Sequence, residues 1–146
     1  MTDYADRPFY VRLALPVRGY DIDFAHIVSN IVYVRWLEDL RTAMLEQYFP
    51  LDQQVANNYV PVVMSTHIEY KRPVAMFDQP VGHMWIKSFE KVRWINEAAI
   101  VVGSKVVAQA TQIGVFVRLD SKRPIPLPAE LRRRFEQHGR ADGGES

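Results

Sequence analysis

Residues 21–48 read DIDFAHIVSNIVYVRWLEDLRTAMLEQY, which places two aspartates directly before a long apolar segment. The segment from residue 29 to 48 is interrupted by few polar side chains, so it predicts one long helix that is buried on most of its circumference. Ser29 or Asn30 is a suitable N-cap. The unpaired N–H groups and positive dipole end of this helix would then lie near Asp23, so a carboxylate and an oxyanion site could face each other.

The rest of the pattern predicts one strand before this helix and four strands after it. Segments with strand character occupy residues 10–17, 62–71, 81–91, 94–102 and 105–118. Strands that follow one another without intervening helices favour an antiparallel sheet over a parallel, doubly wound one. We therefore expect an α+β protein in which a curved antiparallel sheet wraps around one long central helix.

The C-terminal part predicts a rigid connector and a short final helix. Three closely spaced prolines end at Pro128, which is a suitable first residue for a helix through about His138. The length of 146 residues is enough for one domain with a real core but hardly for two. We expect a single domain over residues 1–138 and a disordered tail over 139–146, where nothing apolar is available to bury.

The composition is that of an ordinary soluble globular protein, with 48% hydrophobic and 24% charged residues. A formal net charge of +1 gives no argument for a nucleic-acid or anionic membrane partner. The absence of cysteine excludes a disulfide framework, a thiol nucleophile and a cysteine-ligated metal. No segment has the pattern of a signal peptide or a membrane span. We expect a cytoplasmic protein.

Three motifs follow this order of elements. They are Asp21-x-Asp23 before the helix, Tyr33-x-x-Trp36-Leu37-Glu38-x-x-Arg41 within it, and Tyr70-Lys71-Arg72-Pro73 with Asp78 after the next strand. In combination they resemble the hotdog-fold acyl-CoA thioesterases, in particular the 4-hydroxybenzoyl-CoA thioesterase-like group. The resemblance covers roughly residues 10–118 and is specific in combination, although each motif is weak alone.

The resemblance implies a hydrolase that converts an acyl- or aryl-CoA thioester to the free acid and coenzyme A. The catalytic aspartate of the family falls on Asp23, and the backbone N–H that polarises the thioester carbonyl falls on Asn30. Family members assemble as homodimers, often paired into homotetramers, with sites at the subunit interface, and they need no metal or cofactor. Basic side chains hold the coenzyme A, and the candidates by position are Lys71, Arg72, Lys91 and Arg93.

The helix-entry loop departs from the family pattern. Many relatives have glycine three residues after the catalytic aspartate, where this chain has His26, and Ile27 and Ser29 replace the histidine and the first asparagine of Gly-His-Val-Asn-Asn. A non-glycine residue fits only if its backbone torsions allow it. His26 is therefore also a candidate that orients water or contacts the thioester.

Chemistry supports Asp23 independently of the resemblance, because a carboxylate either attacks a thioester directly or deprotonates an attacking water. The sequence leaves both routes open. Asp21 and Asp23 could instead be loop or cap residues, and for Asp21 we favour that structural role. Tyr33 is a candidate substrate contact, although Tyr33 and Trp36 share a helical face that more often packs in a core.

Several charged residues have simple structural interpretations. Helical spacing predicts the ion pairs Glu38–Arg41 and Arg35–Asp39, with a minority role for Glu38 as a pocket residue. The basic run at residues 132–134 is typical of a solvated surface. His67 and His83 lack further ligands at metal-binding spacing, so we expect no metal site.

Two alternative functions remain open at this point. A hotdog-fold hydratase or dehydratase would normally carry a histidine-phenylalanine-proline signature, which the neighbourhood of His26 lacks. A non-catalytic acyl-thioester binding protein would retain the fold, and the altered loop gives this alternative some weight. The sequence does not choose the acyl group, or between a dimer and a tetramer.

Overall fold

The apolar segment after the two aspartates forms helix α1 (Asn30–Tyr48), with Ser29 at its N-cap. The computed structural model describes residues 3–144, with side chains through residue 138. The other elements are β1 (Val11–Ala14), a 3-10 turn (Gly19–Asp21), α2 (Leu51–Ala56), β2 (Tyr59–Tyr70), β3 (Val81–Phe89), β4 (Arg93–Val102), β5 (Lys105–Arg118), β6 (Pro124–Ile125) and α3 (Ala129–Gly144).

The strands form one antiparallel sheet in the order β1-β3-β4-β5-β2, and β6 pairs with β5. This arrangement confirms the predicted α+β class and the antiparallel sheet. This order of strands places β2, which has 12 residues, at one edge of the sheet. One long side of this strand therefore has no neighbouring strand in the described protomer, which becomes important for assembly.

Helix α1 packs on the sheet mainly over β1 and β3. Trp36, Leu37 and Leu40 are completely buried there, and each such side chain contributes about 1.5–3 kcal/mol through burial. Ile31 and Val34 are exposed, so the prediction that α1 is buried on most of its circumference is wrong. The face that packs on the sheet is buried, and the face that carries Ile31 and Val34 is open to solvent.

Three further segments differ from the sequence prediction. The polar connection after α1 contains a second helix, α2, whose Gln54 is buried and donates from Nε2 to the carbonyl of Phe49 (2.8 Å). The proline connector contributes the short strand β6. Helix α3 continues beyond His138 to Gly144. Residues 139–144 of the predicted disordered tail are therefore helical, whereas residues 145–146 lie outside the described residues, and for them disorder stays a prediction.

The basic run at residues 132–134 is only partly a solvated surface. Arg133 is exposed, whereas Arg132 and Arg134 are half-buried and donate to the backbone carbonyls of Glu90 (2.5 Å) and Tyr48 (2.6 Å). The guanidinium of Arg134 also lies 4.9 Å from the ring centre of Phe49. The C-terminal helix is therefore attached to the end of α1 by these arginines.

Candidate active site

Asp23 begins a tight loop that the backbone closes before α1. Ile22 and Val28 form an isolated antiparallel bridge, and the N–H of Asp23 donates to the carbonyl of Ile27 (2.8 Å). The Oδ1 atom of Asp23 accepts a hydrogen bond from the N–H of Ala25 (2.8 Å), as in an Asx turn. The carboxylate is thus exposed but oriented by its own loop.

His26 occupies the position of this loop that favours glycine. Its φ is +64°, in the left-handed region, and its N–H donates to the carbonyl of Asp23 (3.0 Å). An L-residue pays about 1–2 kcal/mol for such a conformation. The backbone therefore adopts a conformation suited to the usual glycine although the residue differs, and the imidazole is exposed.

Asp21 connects the loop to α1 and is structural, as the sequence prediction favours. Its buried carboxylate accepts from Nη2 of Arg35 at 3.0 Å to each oxygen and from the N–H of Arg18 (2.8 Å). The carbonyl of Asp21 accepts from the N–H of Ser29, the N-cap of α1 (2.8 Å). The prediction that Arg35 pairs with Asp39 is wrong, whereas the predicted pair of Glu38 with Arg41 is confirmed (2.5 Å).

Asp23 lines one surface depression together with Ser29, Ile31 and Val32 at the start of α1 and with Tyr20 and Phe24, whereas Asn30 is not among the lining residues. Phe24 is fully exposed, and Tyr20 and Ile31 are 76% and 78% exposed. At the start of α1 the N–H of Val32 donates to the carbonyl of Ser29 (3.0 Å), and the N–H groups before it have no intrahelical acceptor and lie at the positive end of the dipole. The arrangement joins a carboxylate, an anion-stabilising helix end and an apolar rim.

The sequence interpretation missed this rim. Phe24 follows Asp23 directly in a loop, and Ile31 is placed on the helix face opposite the predicted core, so each looked like a separate apolar residue. Only the fold brings them together with Tyr20. The signal in the sequence was an aromatic residue directly after the candidate catalytic aspartate.

Lys71 and Arg72 lie at the same end of the sheet as the Asp23 loop. The N–H of Val28 donates to the carbonyl of Val74 (2.8 Å), so the segment that follows β2 is tied to this loop. The hydroxyl of Tyr70 donates to the carbonyl of Asn30 (3.1 Å). Lys71 and Arg72 are both exposed, and Nζ of Lys71 lies 3.5 Å from Oε2 of Glu69. Their positions are compatible with contact to a ligand that reaches Asp23.

Lys91 and Arg93 lie elsewhere in the same protomer. Arg93 and Val62 both pair with Val115, which places Arg93 level with Val62 in the sheet. The distance from Val62 to Tyr70 along β2 is roughly 26 Å. The structure therefore does not bring Lys91 and Arg93 to the Asp23 loop of their own chain.

Tyr33 is buried, with its ring centre 4.9 Å from those of Trp36 and Tyr70 in edge-on contacts. Burial, and secondly the neighbouring Tyr70, raise the pKa of its hydroxyl. Its surroundings are those of a core residue, the alternative role that the sequence analysis considered for it. Tyr33 therefore packs between α1 and the end of β2.

Neither a metal cluster nor a membrane-spanning helix is found in the described part of the chain. Among residues 3–144, no three histidine, aspartate or glutamate side chains are grouped so that they could hold a metal ion. No helix in that range combines the length and apolar character required to cross a bilayer.

One long helix on a six-stranded antiparallel sheet, with an aspartate at the helix entry, defines the class of hotdog thioesterases. The chain belongs to the thioesterase-like superfamily, whose profile matches residues 17–135. The predicted family and enzyme class are thereby confirmed.

Individual relatives agree with this assignment. The long-chain acyl-CoA thioesterase FadM of Escherichia coli K12 is 29% identical over 125 residues, covering 84% of this chain and 95% of FadM. The crystal structure of YbaW, a probable thioesterase from Escherichia coli, is 27% identical with a TM-score of 0.77, covering 88% of this chain and 97% of that one.

A more distant structure shares the fold. It is a 4-hydroxybenzoyl-CoA thioesterase mutant complexed with 4-hydroxybenzoyl-CoA, with 19% identity and a TM-score of 0.78. The match covers 86% of this chain and 97% of that one. At this identity the likeness concerns the architecture alone.

Proposed function

We propose that this thioesterase hydrolyses an acyl-CoA to the free acid and coenzyme A, with Asp23 as the catalytic carboxylate. The observation that supports this most is that Asp23 lines the same depression as Ser29 and Ile31, the two residues that flank Asn30 at the start of α1. The thioester carbonyl would lie between them. The N–H of Asn30 would donate to its oxygen, and negative charge would develop where the helix dipole stabilises it.

Two routes use this geometry. In the first, a carboxylate oxygen of Asp23 attacks the thioester carbon, the thiolate of coenzyme A leaves, and water hydrolyses the resulting anhydride. In the second, Asp23 accepts a proton from a water molecule that attacks the same carbon. Both routes need the oxyanion donor at Asn30. His26 remains a candidate for orienting water, since its exposed ring projects from the same loop.

The substrate combines an apolar acyl group with an anionic nucleotide. The exposed rim of Tyr20, Phe24 and Ile31 supports an apolar acyl group, and the name of FadM makes long-chain acyl-CoA the first to test. Lys71 and Arg72 are suited to the phosphates of coenzyme A. Lys91 and Arg93 could serve this role only for the site of a second subunit.

We expect the protein to function as a homodimer or homotetramer in the cytoplasm. The support for assembly is the long edge strand β2, on which Val62 and Met64 are exposed. An unpaired, partly apolar edge of this length is a template for pairing with another copy. A two-fold dimer would extend the sheet continuously through two β2 strands.

The decisive experiment compares free-thiol release from aryl-, short-chain and long-chain acyl-CoAs by the wild type and by Asp23→Asn. We expect Asp23→Asn to lower kcat/KM by at least about 100-fold while the fold is retained, because a catalytic acid-base group contributes about that much or more. Asp39→Asn, a matched change at an exposed aspartate of α1, should leave turnover unchanged.

Each outcome has a distinct meaning. Turnover by a correctly folded Asp23→Asn at the wild-type rate would exclude the proposed role of Asp23. Tight binding of acyl-CoA by the wild type with no thiol released from any substrate would instead support a non-catalytic acyl-thioester binding protein. Hydration of an enoyl-CoA without thiol release would support a hydratase.

A further inference from the structure

Helix α2 has an apolar face that its own chain does not cover. Leu51 and Val55 are one helical turn apart, and they are 45% and 47% exposed. Beside this face, buried Gln54 attaches the helix to the end of α1 through the carbonyl of Phe49. The helix is thus held in place while its apolar face is left open.

A second uncovered apolar surface is the rim beside Asp23. Phe24 and Ile31 lie on that rim and are among the most exposed large apolar side chains in the described residues. Contiguous apolar exposure of this kind marks a surface that a ligand or another protein covers. Both apolar surfaces are therefore open to a ligand or to a second copy of the chain.

The two surfaces are far apart in one protomer. Helix α1 has 19 residues and separates the Asp23 loop from α2 by roughly 28 Å. Strand β2 has 12 residues and separates Tyr59, beside α2, from Tyr70, beside Asn30, by roughly 36 Å. No single chain can therefore bring α2 to its own Asp23.

A two-fold antiparallel pairing of two β2 strands removes this separation. When two such strands overlap over their full length, the start of one lies opposite the end of the other, and Tyr59 of one copy then lies beside Tyr70 of the second. Helix α2 ends shortly before Tyr59, and Tyr70 contacts the first turn of α1. This overlap brings α2 of one copy to the same end of the shared sheet as the Asp23 loop of the other.

We propose that α2 of one copy closes the Asp23 site of the other, with Leu51 and Val55 facing Phe24 and Ile31 across the acyl group. The inference rests on the proposed function, because the acyl group is what the two apolar surfaces enclose. It assigns the acyl specificity of each site partly to a helix of the opposite subunit. A site without its partner would lack one apolar wall.

The absence of native cysteine permits a crosslinking test that does not depend on activity. Phe24→Cys and Leu51→Cys are made in separate chains, mixed by co-expression and treated with a short bis-maleimide. We expect a crosslinked dimer in the mixture. A second pair, Ile31→Cys with Val55→Cys, guards against one unfavourable geometry, and Arg133→Cys with Phe24→Cys is the control. No dimer from either test pair would overturn the proposal.

Subunit complementation tests the catalytic consequence. Asp23→Asn and the double variant Leu51→Asp/Val55→Asp should each lose turnover as homodimers. A random mixture should recover about a quarter of the wild-type rate, because half of the dimers are mixed and one of their two sites is intact. No recovery, with mixed dimers verified, would overturn the proposal.

The two experiments separate the two levels of inference. A wild type without thioesterase activity but with the expected crosslinks would refute the proposed function and leave the subunit arrangement standing. An active wild type without crosslinks or complementation would retain the function and reject the role of α2.

Discussion

His26 has a left-handed backbone conformation, so variants of it can separate the effect of the backbone from that of the imidazole. His26→Gly should raise the free energy of unfolding by up to about 1 kcal/mol, since glycine adopts a φ of +64° without steric cost. His26→Ala removes the imidazole and keeps the strain. Denaturant unfolding and turnover of both variants provide the measurement.

The two variants separate stability from catalysis. Wild-type turnover in both would eliminate His26 from the mechanism, whereas an equal loss in both, with fold retained, would assign the imidazole a role at the thioester.

Lys71 and Arg72 also act at the scale of single residues. Reversing them with Lys71→Glu and Arg72→Glu should raise the KM for acyl-CoA several-fold, because a carboxylate would then repel the phosphates. The KM for a short thioester without the nucleotide should stay nearly constant. Arg133→Glu is a control on another surface. Equal increases in KM for both substrates would exclude nucleotide binding by this pair.

At the scale of elements, α3 stabilises the end of α1 through Arg134. The carbonyls of the last helical turn lack intrahelical donors, and Arg134 donates to that of Tyr48 while its guanidinium lies over Phe49. Arg134→Ala should lower the free energy of unfolding by about 2 kcal/mol. The neighbouring exposed Arg133→Ala should change it by less than about 0.5 kcal/mol. The free energies of unfolding are measured by urea titration. Equal changes in the two variants would show that the contacts of Arg134 do not stabilise the protein.

The elements also show what a linear pattern omits. Gly114 looks like an interruption of a strand, yet a Cβ there would lie 2.0 Å from Cζ2 of Trp94 and 2.3 Å from the carbonyl oxygen of Val62. Period-two alternation correctly indicated the strands that follow α1. It could not indicate this close approach, because the contacting atoms come from β2 and β4.

At the scale of the whole molecule, the N-terminal segment packs on the outer face of the sheet. Tyr4 stacks on Trp85 with ring centres 4.8 Å apart, and the hydroxyl of Tyr10 shares a hydrogen bond with Nδ1 of His83 (2.6 Å). Burial, and secondly the charge of Arg12, lower the pKa of His83, while Asp3 acts in the opposite direction. His83 is therefore favoured in its neutral form in the folded protein.

This lowered pKa predicts a pH-dependent stability. As pH falls below the unfolded value of about 6.5, the unfolded chain binds a proton at His83 before the folded chain does, so stability decreases. Unfolding free energies at pH 7.5 and 5 should differ less in His83→Gln than in the wild type. Exposed His67→Gln should retain the full difference. An unchanged pH dependence in His83→Gln would contradict the assignment.

The sequence by itself determined the fold class, the long helix, the strands after it and the prominence of Asp23, because these depend on local periodicity and on a compact motif. The pairing of Arg35 with Asp21, the burial of Tyr33 and the open face of α1 were decided only by the tertiary structure. They depend on which distant elements meet, and a side chain is buried or ion-paired only where a neighbour arrives. The same reason places Lys91 and Arg93 far from Asp23 in one chain and leaves the apolar faces of α2 and the Asp23 rim uncovered.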